Sequence, residues 1–262
     1  MYNISILKIF GKDVKNFLQG LITNDINQPE PFYSLVLTPT GRFLFDIFII
    51  PKDDYYYIEI PENDSENFIK KLNQIKFRKD VFIENLSEIL SVSYTKDLIQ
   101  NSILGYKDPR YKGLGYRNIV YKEKNMDSGV DLYIKDKFQY TIPDGTYDLI
   151  KEKSFPQEFG LDKLNAISFK KGCYVGQESI SRIRTQGVVR KQIFKVIAQE
   201  NLENINNTDI FYENEKVGVL TSKKNNLAIA QIFLFDSFDI NQSFKLNNIN
   251  IKIEYPQWNL RI

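Results

Sequence analysis

Two stretches of the N-terminal half carry the apolar spacing of amphipathic helices. In DVKNFLQGL the apolar residues recur at i, i+3, i+4 and i+7, and the predicted helix opens at Asp13 and weakens after Gly20. In SENFIKKLNQIKF the predicted N-cap is Ser65. The residues predicted to face the core are Val14, Phe17, Leu18 and Leu21 in the first helix and Phe68, Ile69, Leu72 and Ile75 in the second.

Around these helices the pattern is that of β-strands. FYSLVLT and RFLFDIFII flank the turn sequence PTG, with Pro39 and Gly41, and predict a β-hairpin. DDYYYIEI predicts another strand, and further strands are predicted near VFIEN and ILSVSY. Helices mixed with antiparallel hairpins indicate an α+β fold, without the regular strand-helix alternation of a doubly wound sheet.

From about Val188 onward, short strand-like runs follow one another with no helical spacing between them. They are separated by polar, asparagine-rich turns, a pattern typical of a small β-barrel or sandwich. The runs are QIFKVIA, EKVGVLTS, LAIAQIFL, SFKLN and NIKIEY. The sequence therefore predicts an N-terminal region of residues 1–187 and a C-terminal barrel of residues 188–262.

Composition narrows the functions that the chain can have. It has 262 residues, 42% of them hydrophobic, which is enough for a substantial core. No apolar run reaches the roughly 20 residues that cross a bilayer, and MYNISILKIFGKD looks like neither a signal peptide nor a transit peptide. We therefore expect a cytoplasmic protein with no membrane partner. The net charge of +2 is too small to predict strong nucleic-acid binding.

The chain contains no histidine and a single cysteine, Cys173. Catalytic triads that depend on imidazole and the usual zinc sites are therefore excluded, and we predict no metal-binding residues. One thiolate also cannot supply the four cysteine ligands that normally hold an iron-sulfur cluster. Acid-base chemistry would fall to Asp, Glu, Lys, Tyr or Cys173 itself.

Cys173 lies in the octapeptide KGCYVGQE, between Gly172 and Gly176. It is either a small buried apolar residue, as free cysteines often are, or a reactive thiol. The glycines would let the backbone approach a ligand closely. Lys170, Lys171 and the N-terminus of a helix predicted in YVGQESISRI would stabilise a thiolate. Composition alone leaves both interpretations open.

A basic cluster follows in SRIRTQGVVRK, with Arg182, Arg184, Arg190 and Lys191. Such a cluster is either a solvated face or a site for carboxylates and phosphates, which arginine binds in bidentate geometry. Direct RNA binding through these residues is the least favoured hypothesis, because the net charge is nearly balanced.

KGCYVGQE, followed by SR and GVVRK, resembles the signature of the YgfZ family. These are folate-binding proteins of iron-sulfur cluster assembly and repair, related to the T-protein (aminomethyltransferase) of the glycine cleavage system. The resemblance covers nearly the whole chain. The other similar segments, in order, are GKDVKNFLQGLITNDI, LVLTPTGRFLFD, DPRYKGLGYR, FPQEFGLDKLNAISFKKGCYVGQE, VGVLTS and LAIAQI.

The resemblance implies two interlocked N-terminal α+β lobes and a C-terminal β-barrel around a central opening that binds tetrahydrofolate or a derivative. It matches Cys173 to the family's required thiol, and we expect the opening to bring this sulfur within reach of the cofactor. The implied cofactor-binding residues are Asp25 of the TND element, Thr38 and Arg42 of the hairpin with Asp46 beside them, and Gln177, Glu178 and Arg182 of the motif helix.

The resemblance further implies a folate-binding accessory protein for iron-sulfur cluster assembly or repair. Its expected partners are iron-sulfur client or assembly proteins, with an indirect link to cluster enzymes that modify tRNA. One position departs from the T-protein pattern: an acidic residue just before KKGCYVG is replaced by Lys170 or a near neighbour. We therefore favour an accessory factor over the alternative, a tetrahydrofolate-dependent one-carbon (aminomethyl) transferase with Asp25 as its polar catalytic residue.

Overall fold

The computed structural model describes residues 3–123, 127–187 and 189–259. Within these ranges the chain forms two open antiparallel sheets, a closed β-barrel and four α-helices, which confirms the predicted α+β class. The helices are α1 (Val14–Leu21), α2 (Glu62–Lys76), α3 (Val130–Tyr140) and α4 (Gln177–Gln186). None of them is long and apolar enough to cross a membrane.

The larger sheet has five strands in the order β2-β3-β4-β1-β5. Its strands are β1 (Ile4–Phe10), β2 (Phe32–Leu37), β3 (Phe43–Pro51), β4 (Tyr55–Pro61) and β5 (Phe82–Asn85). The predicted hairpin is confirmed, because β2 and β3 pair antiparallel. The apolar faces of α1 and α2 pack with this sheet in one hydrophobic core.

The two predicted helices differ in how well their details agree with the structure. All four apolar residues predicted for α1 are buried. In α2 the prediction of Ser65 as N-cap is wrong, because the helix begins at Glu62 directly after Pro61 and Ser65 lies buried within it. The prediction that Ile75 faces the core is also wrong. Ile75 is 38% exposed, since it lies in the last turn, beyond the residues that pack on the sheet.

The second sheet has three strands in the order β6-β8-β7 and lies next to α3. Its strands are β6 (Leu90–Thr95), β7 (Leu104–Lys107) and β8 (Tyr116–Tyr121). One hydrophobic core joins apolar residues of the hairpin, such as Tyr33 and Phe48, to Ile119 of β8 and Phe138 of α3. The two N-terminal lobes are therefore interlocked around a shared core.

The C-terminal strands close into a six-stranded barrel in the order β10-β11-β12-β9-β14-β13, as predicted. They are β9 (Lys191–Ala198), β10 (Asp209–Tyr212), β11 (Glu215–Lys224), β12 (Leu227–Phe233), β13 (Phe244–Leu246) and β14 (Ile249–Glu254). The strand β10 was not among the predicted runs. The predicted border between residues 187 and 188 remains a prediction, because Val188 lies outside the described residues.

A buried ionic network fixes the barrel to the body. Nζ of Lys137 in α3 lies 2.6 Å from Oδ2 of Asp144 and 2.5 Å from Oδ2 of Asp148. Oδ1 of Asp148 accepts hydrogen bonds from the hydroxyls of Thr221 and Ser222 in β11, each at 2.6 Å. A buried charge is tolerated when it is paired and hydrogen-bonded, so this network fixes how the barrel packs against α3.

Candidate functional site

A central cavity lies between the two open sheets, at the place where the lobes interlock. Its volume is about 60 Å³, which is room for a few water molecules. The walls combine aromatic rings with buried charged groups. The lining residues are Ile4, Asp46, Phe48, Pro61, Val92, Tyr94, Arg110, Arg117, Ser128, Val130, Tyr133, Asp144 and Thr146. The cavity lies where the two N-terminal lobes meet, and no residue of the barrel is among those that line it.

Asp46 of β3 presents a free oxygen in this cavity wall. Its Oδ2 accepts hydrogen bonds from the Tyr33 hydroxyl and the Gly145 N–H, both at 3.1 Å. Its Oδ1 is buried and has no hydrogen-bond partner among the described residues. Burial raises the pKa of Asp46, against the Gly145 N–H and Arg110, which lower it. A buried acceptor without a donor is costly, and Oδ1 is packed against Gly145, so a ligand that donates a hydrogen bond would reach it only if this turn moved.

Gly145 allows this arrangement of Asp46. A Cβ atom at position 145 would clash with Oδ1 of Asp46 and with the ring of Phe43. The turn that carries Gly145 begins at Asp144, whose Oδ1 accepts hydrogen bonds from the N–H groups of Thr146 and Tyr147. The cavity wall thus depends on a tight turn in the sequence PDGT.

Two arginines in the cavity wall are already neutralised by carboxylates. Arg110 binds Asp108 through two nitrogens, at 3.0 and 2.7 Å, and Arg117 binds Glu59 at 2.6 Å. Burial alone would raise the pKa of Asp108, but Arg110 and Arg117 lower it below its usual value. Arg110 and Arg117 therefore pack on the Phe48 ring as part of the cavity wall. Their charges are paired and not available to bind an anion.

Cys173 lies elsewhere, on a surface loop. This thiol loop (residues 171–176) connects the body to α4, and Cys173 is exposed on it. The prediction of a helix after the thiol is confirmed, since α4 begins at Gln177 with Gly176 as its N-cap. Cys173 is not among the residues that line the central cavity. The expectation that one cavity holds both the sulfur and the cofactor therefore does not agree with the described structure.

Lys171 anchors the thiol loop. Its Nζ donates hydrogen bonds to the backbone carbonyls of Gln19, Ile22 and Asn24, at 2.6, 2.6 and 3.1 Å. A cation suits these carbonyls, which belong to the C-terminal end of α1 and the turn after it. Burial lowers the pKa of Lys171 to about 8, while Asp25 opposes this shift. The Lys171 ammonium group thus binds the loop to the end of α1 on the buried side of the loop, whereas the thiol of Cys173 is exposed.

The hairpin turn at residues 38–42 supports the same loop from the side. A Cβ atom at Gly176 would clash with the Thr38 carbonyl. Thr38 Oγ1 accepts a hydrogen bond from the Arg42 N–H at 3.0 Å. The Arg42 guanidinium lies over the Phe155 ring and donates to the Lys153 carbonyl at 2.6 Å. Thr38 and Arg42 therefore lie beside the thiol loop and outside the cavity lining.

Asp25 lines a second, open pocket of about 440 Å³ together with Lys170 and Tyr33. Its Oδ1 accepts hydrogen bonds from the side chain of Gln19 and from the N–H and side chain of Asn27. The Asn27 N–H is the main reason that the pKa of Asp25 is lowered. Asp25 thus caps a turn at the rim of this pocket. Tyr33 connects the two pockets, because its hydroxyl binds Asp46 of the central cavity.

The structure thus groups most of the predicted site residues around the thiol loop. On α4, Gln177 is half-buried, whereas Glu178 and Arg182 are exposed. Of the three hairpin residues that the resemblance implied, Thr38, Arg42 and Asp46, Asp46 alone is among those that line the central cavity. Sequence reasoning did not identify Gly145 or Tyr33, although the P-D-G triplet in PDGT was a readable turn signal. The described residues include no group of three or more Asp, Glu or Cys side chains placed to hold a metal ion.

Comparison with solved structures identifies the fold. The glycine cleavage system aminomethyltransferase T from Bartonella henselae superposes with a TM-score of 0.72, covering 97% of this chain and 84% of that protein. The sequence identity is 12%, so the likeness concerns the fold alone. The chain has the T-protein fold, as the resemblance implied.

Comparison of sequences identifies the family. The chain matches no protein-family model. It is 31% identical over 225 residues to the "Iron-sulfur cluster assembly factor IBA57 homolog, mitochondrial" of Neurospora crassa, and 28% identical over 247 residues to that of Dictyostelium discoideum. The matches cover 73% and 74% of this chain but 51% and 60% of those proteins. Although it spans little more than half of these relatives, the chain is a YgfZ/IBA57-like protein.

These relatives overturn one expectation. The proteins from Neurospora crassa, Pyricularia oryzae and Dictyostelium discoideum are all named as mitochondrial. The prediction of a cytoplasmic location is therefore wrong. It relied on the composition of the first residues of the sequence, which carries less information about location than these relatives do.

The side chains that line the central cavity suit the chemistry of a reduced pterin, although the cavity, at about 60 Å³, would have to widen to hold the ring. A pterin ring presents N–H donors along one edge, and the free Oδ1 of Asp46 is a buried acceptor that lacks a donor. The rings of Phe48, Tyr94 and Tyr133 supply flat apolar walls.

Proposed function

We propose that this protein is a folate-binding accessory factor for iron-sulfur cluster assembly or repair. Its relatives are named as iron-sulfur cluster assembly factors, and its fold is that of a glycine cleavage system aminomethyltransferase. The observation that carries the proposal is the exposure of Cys173. The only thiol of the chain lies at the surface, on a loop that Lys171 fixes to α1.

Cys173 would act as a transient ligand. As a thiolate it gives one sulfur ligand to an iron atom of a client cluster, and its proton goes to solvent. Because a cluster normally needs four such ligands, the others must come from a partner protein. Val175, which is 39% exposed, offers that partner an apolar contact two residues from the sulfur. We propose iron-sulfur client or assembly proteins as the partners.

We further propose that the central cavity holds tetrahydrofolate or a derivative. Asp46 would accept hydrogen bonds from the pterin edge, with Gly145 and Tyr33 holding the carboxylate in position. When bound, tetrahydrofolate would supply a carrier of one-carbon units. Since Cys173 does not line this cavity, the cofactor and the thiol would act at separate sites.

The link to tRNA modification is proposed to be indirect, through cluster-dependent enzymes that modify tRNA. Arg182, Arg184 and Arg190 are exposed and could meet an anionic partner. Arg184 already lies over the ring of Phe169, at 3.9 Å from its centroid. We propose that these arginines serve protein contacts and do not bind RNA directly.

A second candidate function is a tetrahydrofolate-dependent one-carbon transferase. It is favoured by the free carboxylate oxygen of Asp46 within the T-protein fold, because such an oxygen can orient the reactive part of a folate. Asp25 caps a turn, so Asp46 would take the role of the polar catalytic residue.

The experiment that separates these functions has two parts. The chain is expressed in cells that lack their own assembly factor, and the activity of a cluster-dependent enzyme is measured; the accessory factor should restore it. The purified protein is also offered tetrahydrofolate and an aminomethyl donor, and the formation of methylenetetrahydrofolate and ammonia is measured. Turnover without rescue would favour the transferase, whereas rescue without turnover would favour the accessory factor.

A further inference from the structure

The five-stranded sheet has one covered edge and one open edge. At β2, Ile22 bridges Val36, and the Thr23 N–H donates to the Leu35 carbonyl at 3.0 Å. At the opposite end, β5 pairs with β1 on one side, and the described residues give its other side no strand partner. An open strand edge is a template for another strand.

Two exposed phenylalanines lie near this open edge, and the ring of one of them, Phe82, stacks on that of Phe10 in β1 at 5.4 Å between centroids. Phe82 of β5 is 53% exposed, and Phe77, in the turn just before it, is 81% exposed. Single exposed apolar residues are common and need no special explanation. Phe77 differs from such residues in the conformation of its backbone.

The backbone of Phe77 is held in a conformation that favours glycine. Its φ is 47° and its ψ is −112°, and the Lys79 N–H donates to the Lys76 carbonyl at 2.9 Å. These are the features of a type II′ turn, with Phe77 at the position where glycine is preferred. A side chain there strains the backbone, yet the ring gains little burial within this chain. The strain is consistent with a ring that is buried by another molecule.

The surroundings of the two rings are basic. The Arg78 guanidinium lies 5.4 Å from the centroid of the Phe77 ring, and Lys76 Nζ lies 5.9 Å from that of Phe82. Residues 76–80 carry three cations and one carboxylate, Asp80, and β5 adds Glu84, whose carboxylate lies 3.6 Å from Lys8 Nζ. An acidic partner would match the net positive charge of residues 76–80.

We infer that the outer edge of β5 is a docking site for an extended acidic segment of another protein. The segment adds beside β5 as a further strand and covers Phe77 and Phe82. Lys76, Arg78 and Lys79 pair with its carboxylates. This inference is independent of the proposed function, because neither α2 nor β5 contains a residue of the thiol loop or of the central cavity lining.

The test uses the full chain and a fluorescein-labelled peptide of about ten residues that alternates glutamate with valine or phenylalanine. Fluorescence anisotropy should show saturable binding that weakens with salt, and a matching lysine peptide should bind at least about tenfold more weakly. Phe77→Gly relieves the backbone strain, so it should keep or raise the Tm while lowering affinity for the acidic peptide at least about tenfold. Tyr121→Ser removes a comparably exposed ring from β8 and should leave affinity unchanged.

Several results would overturn the inference. They are no binding of the acidic peptide, equal binding of the lysine peptide, or unchanged affinity in Phe77→Gly. A lower Tm for Phe77→Gly would remove the argument from strain. Dimers in sedimentation velocity that Phe77→Gly abolishes would assign the edge to a second copy instead.

Discussion

Nζ of Lys171 lies 2.6 Å from the backbone carbonyl oxygen of Ile22, just past the C-terminal end of α1. The same ammonium group donates to the carbonyls of Gln19 and Asn24. One buried cation therefore joins α1 to the loop that exposes Cys173, two residues further along the chain. The hydrogen bonds of Lys171 thus fix the loop that carries the exposed thiol of Cys173.

Lys171→Met is expected to destabilise the protein. Methionine keeps an apolar chain of similar length but leaves three carbonyls without their donor. The free energy of unfolding should fall by about 2 kcal/mol, measured by urea denaturation. The rate at which Cys173 is alkylated in the folded protein should also rise as the loop loosens. Lys170→Met is the matched control, because Lys170 is exposed; equal effects of the two substitutions would contradict the anchoring role.

The pH dependence of stability gives a second test of Lys171. Burial lowers its folded pKa from 10.5 to about 8. Between these values the unfolded chain binds more protons at this residue than the folded chain does, so the Lys171 contribution to stability rises with pH. Below pH 8 the cost of burying the charge is fully present. The difference in unfolding free energy between wild type and Lys171→Met should therefore grow from about pH 8 to about pH 10. A difference that stays constant or shrinks would show that Lys171 is not titrating as a buried amine.

Asp46→Asn should weaken tetrahydrofolate binding by about tenfold or more, because an amide offers one acceptor oxygen fewer to the pterin N–H groups. Isothermal titration calorimetry under anaerobic conditions measures the affinity. Asp25→Asn is the matched control and should leave the affinity near that of wild type, since Asp25 lines the other pocket. The opposite pattern, loss with Asp25→Asn alone, would return the cofactor role to Asp25 as the sequence resemblance implied.

Gly145→Ala is expected to damage both fold and cavity. The added methyl group would clash with Oδ1 of Asp46 and the ring of Phe43, which should cost roughly 1–3 kcal/mol of stability. Gly172→Ala is the control, because a Cβ atom there meets nothing within 4 Å. Thermal unfolding of both variants checks the prediction. If Gly145→Ala is as stable as Gly172→Ala, the side chains around position 145 can move to accommodate a methyl group, and the prediction is wrong.

The sequence predicted those parts of the fold in which periodicity and burial agree. The α1 stripe, the β2–β3 hairpin and the C-terminal barrel are of this kind, because each buries one regular face. The start of α2 was missed because Ser65 has the chemistry of a cap, whereas Pro61 and the end of β4 determine where the helix begins. Local propensity cannot resolve such a competition.

The residues of the candidate site also differ in how far the sequence could predict them. The octapeptide around Cys173 identified the thiol, because its residues are adjacent in the chain. The partners of Asp46 are not adjacent: the Gly145 N–H comes from a turn 99 residues away. Spacing along the sequence therefore could not show that Asp46 lies in the cavity and that Asp25 caps a turn in another pocket.

The most direct test of the account is the activity of a cluster-dependent enzyme in cells that lack their own assembly factor and express this chain with Cys173→Ser. The folded variant should accumulate like wild type, because an exposed serine replaces an exposed cysteine. We predict that it fails to restore the enzyme activity that the wild-type chain restores. Full restoration by Cys173→Ser would contradict the account, because the thiol would then have no part in the function.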